Sequence, residues 1–66
     1  MLAIERRNEI LERLREEKRV VVSELSRLYQ VTEETIRRDL EKMEKDGLAV
    51  KSYGGAVLKE HKPVDF

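Results

Sequence analysis

At Gly47 the apolar residues of this chain change their spacing, and that change limits the folds open to it. Before it they recur three and four residues apart, the period of an amphipathic helix. After it they fall into two short runs, "LAVKS" and "AVL", separated by Tyr53, Gly54 and Gly55. Helices therefore come first and strands follow. With 66 residues and 39% hydrophobic content, these elements must share one small core, whose burial barely offsets the conformational entropy of folding.

Three helical stripes precede Gly47. At about 100° per residue, Ala3, Ile10 and Leu14 fall on one side, with Ile4 and Leu11 at the shoulder, which predicts a helix from the N-terminus to about Glu17. Arg7 lies inside that stripe, either as a stem packed on the core with its head in solvent or as a phosphate contact. "RVVV", Arg19 to Val22, is β-branched and too short for a helix, so it reads as a brief strand or an extended linker. Ser23 then offers an N-cap to a helix of about two turns carrying Leu25, Leu28 and Tyr29. Gln30 and Val31 interrupt it. Thr32 offers the next N-cap, with Glu33 and Glu34 in the first turn, where the helix dipole favours carboxylates. Ile36, Leu40 and Met43 form the third stripe, which Lys45 and a C′ glycine at Gly47 bring to an end.

Beyond Gly47 the Gly54-Gly55 pair reads as the two-residue loop of a β-hairpin, since both glycines accept positive φ. The final "KEHKPVDF" holds the single proline and the single histidine and has no period, so residues 59–66 read as a linker or tail and residues 1–58 as one domain. Helix, short strand, helix, three-residue turn, helix, hairpin is the order of a three-helix winged helix-turn-helix, mostly α with a small β-hairpin. Within "ELSRLYQVTEETIRRDL", Leu25, Tyr29, Val31, Ile36 and Leu40 are spaced to lock two helices at a steep angle. Ser26 is small enough for close approach, and Gln30 stands where many such turns carry glycine.

The charge pattern bears on function. Fourteen basic and fourteen acidic side chains cancel, against the basic bias usual in nucleic-acid binders. Distribution matters more than the sum. From Met1 to Lys18 five bases and five acids interleave, as on a solvated helix, whereas from Lys51 to Lys62 the bases Lys51, Lys59 and Lys62 meet only Glu60. In the third helix, taking Ile36 as zero, Arg38 lies at about 200° and points directly away from the core, and Arg37, at about 100°, flanks it. Thr35 occupies the opposite flank, Thr32 and Glu34 sit at the helix start, and Lys42 lies one turn beyond Arg38. Self-pairing of Glu34 with Arg38 and of Arg38 with Glu41 accounts for these charges without any ligand. The glycine hairpin with Lys51, Tyr53 and Lys59 adds a second basic element where a wing meets a phosphate backbone, and this favours double-stranded DNA.

Other functions find less support. With no cysteine there is no disulfide or thiolate metal site, and no apolar run approaches the roughly 18 residues of a membrane span, so a cytoplasmic protein with no membrane partner is expected. His61 stands alone and no glycine-rich phosphate loop or metal-spaced cluster occurs, so no enzyme is expected. A winged helix used as a protein-interaction module is the competing reading, and RNA binding lacks a platform of exposed aromatics.

The stretch "VVVSELSRLYQVTEETIRRDLEKMEKDGLAVKSYGGAV" resembles the N-terminal DNA-binding domain of the DeoR family of bacterial transcriptional regulators. That family's hallmark is a V-S-x-x-T-I-R-R-D-L helix followed by a glycine and a G-G-A wing, and the resemblance runs from Arg6 to about Leu58. Thr32 replaces the commoner serine and keeps the capping hydroxyl, while Lys51 and Tyr53 stand where the family often has arginine and histidine. The resemblance implies that Thr35, Arg37 and Arg38 enter the major groove and that Lys51, Tyr53 and Gly54 belong to a wing on the flanking backbone. Asp39, at about −60°, is expected to pair with Arg6 or Arg7 at the core edge. The resemblance further implies a repressor of sugar-metabolism operons, with a larger C-terminal domain that binds a phosphorylated sugar and mediates homo-oligomerisation. On that reading the residues here need no cofactor, and "KPVDF" begins the interdomain linker.

Overall fold

Ile10 and Leu14 of α1 (Ala3–Glu17) meet Ile36, Leu40 and Met43 of α3 (Glu33–Lys45), and these five are the largest fully buried side chains. They form the centre of the fold in the computed structural model, which describes residues 1–59. The remainder of the core closes around them. Val20 comes from β1 (Arg19–Val21), Val22 and Leu25 from α2 (Val22–Tyr29), Ala49 from β2 (Ala49–Ser52) and Ala56 from β3 (Gly55–Leu58). The element order is the winged helix-turn-helix expected from the sequence, with residues 60–66 of the predicted linker outside the described residues.

Two predicted stripes are narrower than their periodicity. Ala3 and Ile4 occupy the exposed first turn of α1, where Ile4 only rims a shallow hollow shared with Leu11, Met43 and Leu48. Leu28 is also exposed. The buried face of α2 is set by Val22, Leu25 and Tyr29, at i, i+3 and i+7, and Leu28 falls to one side of it. Tyr29 packs against the core, and its hydroxyl donates to Glu9 Oε1 at 3.1 Å, so burial first and that bond second push the phenol pKa up.

The helix boundaries follow from where orphan backbone groups find partners. α2 begins one residue before the expected Ser23 cap: Val21 is its N-cap, without a side-chain acceptor, and the Val22 N–H donates to the Gly54 carbonyl at 2.8 Å. The hairpin turn thus satisfies the first amide of α2, and no side chain caps the helix. At α3, Thr32 caps as expected, its Oγ1 accepting from the Thr35 N–H at 3.2 Å. Between the helices, Ser26 Oγ donates to the Val31 carbonyl at 2.7 Å while the Val31 N–H donates to the Ser26 carbonyl at 3.1 Å, closing the turn. Gln30 holds that turn at φ 55° and ψ 46°, the left-handed region that glycine adopts without penalty.

The predicted hairpin is part of a larger unit. β1 joins it, giving a three-stranded antiparallel sheet in the order β1-β3-β2 with Val20 opposite Ala56 and Lys51 opposite Ala56 on the other side. Ser52 pairs with Gly55, so the two-residue loop is Tyr53-Gly54 rather than Gly54-Gly55. Only Gly54 needs positive φ, at 75°. Gly55 is demanded by the third strand: a Cβ there would lie 1.9 Å from the Val20 carbonyl oxygen. Gly47, at φ 76°, ends α3 as the sequence indicates.

Asp39 is the buried charged residue of the domain, on the flank of α3 that faces α1. Arg6 grips both of its carboxylate oxygens, with Nη2 at 3.1 Å from Oδ1 and Nε bonded to Oδ2, and Arg7 Nη1 reaches Oδ1 at 3.4 Å. The hydrogen bond to Asp39 raises the Arg6 pKa further above its ordinary value, against the opposing effect of burial. Arg7 therefore keeps its stem against the protein and turns its head to a carboxylate.

Two outcomes follow for stability, both read by urea denaturation. Gln30→Gly is expected to stabilise the domain by about 0.5–1 kcal/mol, because relief of left-handed strain exceeds the entropy glycine adds to the unfolded chain. A loss of stability would show that the Gln30 side chain contributes more than its strain costs. Asp39→Ala is expected to cost about 3 kcal/mol or more by leaving Arg6 without its partner, and a cost under about 1 kcal/mol would contradict the role given to the pair.

Candidate nucleic-acid interface

With Asp39 and the apolar stripe turned inward, the outward arc of α3 is fixed residue by residue. Arg37 and Arg38 project from it with 55% and 77% of their side-chain surface exposed. Glu33, Glu34, Glu41 and Lys42 are exposed on the same arc, and Thr35 is half-buried at its edge. Thr32 and Thr35 bring their hydroxyls within 3.0 Å of each other at the helix start, where first-turn amides also point outward. A 13-residue helix is about 20 Å long, and its diameter with side chains, about 10–12 Å, matches the width of a B-DNA major groove, about 12 Å.

The sheet sets the second wall. Lys51 shares its register with buried Ala56, so its side chain rises on the α3 side of the sheet, whereas Val50 and Val57 pair on the outer face and stay exposed. Lys51 Nζ lies 3.9 Å from Glu41 Oε1, and its backbone N–H donates to Glu44 Oε2 at 3.0 Å. Arg38, Lys42 and Lys51 line one hollow between α3 and the wing, and Arg37, Ser52 and Gly54 line a second one nearer the turn. Tyr53 stands fully exposed at the wing tip. Lys59, expected to join this basic element, lies instead at the base of the hairpin, where its N–H donates to the Leu48 carbonyl at 3.3 Å.

The structure thus brings Thr32, Glu34, Arg37, Arg38, Lys42, Lys51 and Gly54 to one face, with Tyr53 at its rim and Thr35 partly withdrawn. Every one of Arg37, Arg38 and Lys51 has an acidic neighbour. Arg37 Nη2 donates to Glu33 Oε1 at 3.0 Å, and Arg38 Nε sits 3.7 Å from Glu34 Oε1. Glu41, which the sequence offered to Arg38, reaches Lys51 across the cleft. The Glu33–Arg37 pair was readable from its four-residue spacing. Lys51's approach to Glu41 was not, because it depends on strand parity that the imperfect alternation of "LAVKS" leaves open.

Guanidinium groups, an ammonium and hydroxyls on one convex helix with a flanking wing present donors suited to phosphate oxygens and to purine acceptor edges. The sequence has relatives among known proteins. Residues 6–62 match the profile of the DeoR-like helix-turn-helix domain. The chain is 52% identical over 54 residues to a protein of Escherichia coli O157:H7 provisionally named as the aga operon transcriptional repressor, covering 82% of this chain and 20% of that protein. It is 50% identical over 62 residues to an uncharacterized HTH-type transcriptional regulator of Bacillus subtilis, covering 94% of this chain and 24% of the relative. Over 57 residues it is 38% identical to a protein of Escherichia coli K12 provisionally named as the galactitol utilization operon repressor, covering 86% of this chain and 51% of that one. The chain spans about a fifth to a quarter of the first two relatives and about half of the third. No solved structure matches it. With the profile covering most of its length and the helix-turn-helix geometry in place, the chain belongs to the DeoR-like helix-turn-helix family of DNA-binding transcriptional regulators.

Proposed function

We propose that residues 1–58 read a double-stranded DNA operator, with α3 in the major groove and the β2–β3 turn on the flanking backbone. The observation that carries this reading is the gathering of Arg37, Arg38, Lys42 and Lys51 around one exposed face whose opposite side is locked into the core. Arg38, at the centre of the outward arc, is placed to meet guanine O6 and N7, and Arg37 to meet a base edge or a phosphate beside it. Thr32 and Thr35 at the helix start, Lys42 one turn on, and Lys51, Tyr53 and Gly54 of the wing set register through phosphate and sugar contacts.

The parent protein acts, on this reading, as a cytoplasmic repressor of a carbohydrate-utilisation operon and not as an enzyme. The names of the relatives support that assignment, one of them a provisional repressor of galactitol utilization. Residues 59–66 would lead to a further domain that binds a phosphorylated sugar and holds the protein as a homo-oligomer. A single reading head binds weakly, since a palindromic operator is read by two linked copies.

An operator selected from a random duplex library and measured by fluorescence anisotropy tests the residue roles. Arg38→Ala is expected to weaken operator binding by about 1–3 kcal/mol while changing random-duplex binding much less. An equal loss on both would reassign Arg38 to a phosphate. Lys51→Ala is expected to cost less, evenly across sequences, and to reduce the slope of log affinity against log salt by about one unit. An unchanged slope would remove Lys51 from the interface.

A further inference from the structure

The reading face is nearly neutral. Glu33 and Glu34 lie one turn N-terminal to Arg37 and Arg38, at 3.0 Å and 3.7 Å, and Glu41 approaches Lys51 to 3.9 Å. All six side chains are about half exposed or more, at 46–77%, so none of these pairs serves the core. A helix can keep acidic residues in its first turn for its dipole alone, which accounts for Glu33 and Glu34. It does not account for Glu41, which lies beyond the first turn and reaches a base on a different element.

We propose that Glu33, Glu34 and Glu41 are specificity-determining residues of this interface: they occupy the bases that DNA needs and so suppress binding to arbitrary sequence. The inference rests on the DNA-binding reading above. Any duplex entering the face must part these pairs and bring its phosphates toward three carboxylates, a penalty that is the same for every sequence. Only a site with acceptor edges placed to take Arg37 and Arg38 in fixed geometry replaces what is lost. An exposed ion pair is weakly held, so the exchange is easy for a matching site. The zero net charge of the chain leaves no general attraction to mask this penalty.

The test compares two triple variants of equal charge change on a labelled random-sequence duplex, by fluorescence anisotropy over a salt series. One is Glu33→Gln/Glu34→Gln/Glu41→Gln. The other is Glu12→Gln/Glu16→Gln/Glu17→Gln on α1, which frees Arg13 and Arg15 from their partners away from α3. Circular dichroism confirms that each is folded. Each freed cation that reaches a phosphate adds about 0.9 to the salt slope; Lys51 already counts in the wild type, so the freeing of Arg37 and Arg38 is expected to steepen it by about two units, and the first variant to bind random duplex about tenfold more tightly at low salt. The α1 variant is expected to change affinity less than about threefold. Equal gains in both variants would reduce the effect to overall charge and overturn the proposal, as would no gain in the first. If wild type binds no duplex at low salt and neither folded variant does, the DNA-binding reading falls and takes this inference with it.

Discussion

The grip of Arg6 and Arg7 on Asp39 decides which side of α3 faces the core. Ile36, Leu40 and Met43 would bury on their own, yet an apolar stripe on a helix this short tolerates some rotation. A carboxylate with 3% of its surface exposed does not, because leaving it or Arg6 unpaired in the interior costs several kcal/mol (about 3–5). The pair joins residues 33 positions apart, ties α1 to α3, and sets the rotation of α3 about its axis. Arg37 and Arg38 are presented to solvent as a consequence of where Asp39 must go.

A second constraint positions the wing. Because β1 pairs with β3, the hairpin is anchored along its inner edge, and the Gly54 carbonyl also accepts from the first amide of α2. Gly55 makes this approach possible by lacking a Cβ. The turn is therefore fixed to the helix-turn-helix rather than hanging from it, and Lys51 holds a set place beside α3. The backbone amide of Lys51 on Glu44 ties the wing directly to α3, the other wall of the face. Rigid placement of both walls lowers the ordering cost of binding a fixed partner such as a duplex.

Much of this was legible in the sequence, for identifiable reasons. The centre of each helix stripe, the Thr32 cap and the Gly47 stop depend on near neighbours and stand where the sequence put them. Asp39's partner was foreseeable because a carboxylate at the edge of an apolar stripe needs a base within reach, and Arg6 and Arg7 lay near the stripe of α1. What was misread depends on distant pairing. Ser23 looked like a cap, but α2 starts one residue earlier because its first amide, that of Val22, donates to the Gly54 carbonyl 32 residues away, a partner no local pattern reveals. Gly54-Gly55 looked like a symmetric turn, yet the second glycine answers to Val20 on another strand. Leu28 and Ile4 matched their helical periods but lie where no described element covers them. At the candidate interface, Arg37, Arg38 and the wing turn could be named from sequence, while the side to which Lys51 points required the strand register.

The central claim is that α3 and the β2–β3 turn together form the DNA-binding face. Amide chemical-shift mapping by NMR, with an unlabelled duplex titrated into the isotopically labelled chain at low salt, tests it most directly. The predicted result is a contiguous set of perturbed amides at Thr32–Lys42 and at Lys51–Gly54, with the amides of Glu12–Glu17 on α1 unmoved. Perturbations centred on the outer face of α1 or on the Val50–Val57 side of the sheet would contradict it, as would a folded domain whose spectrum does not change.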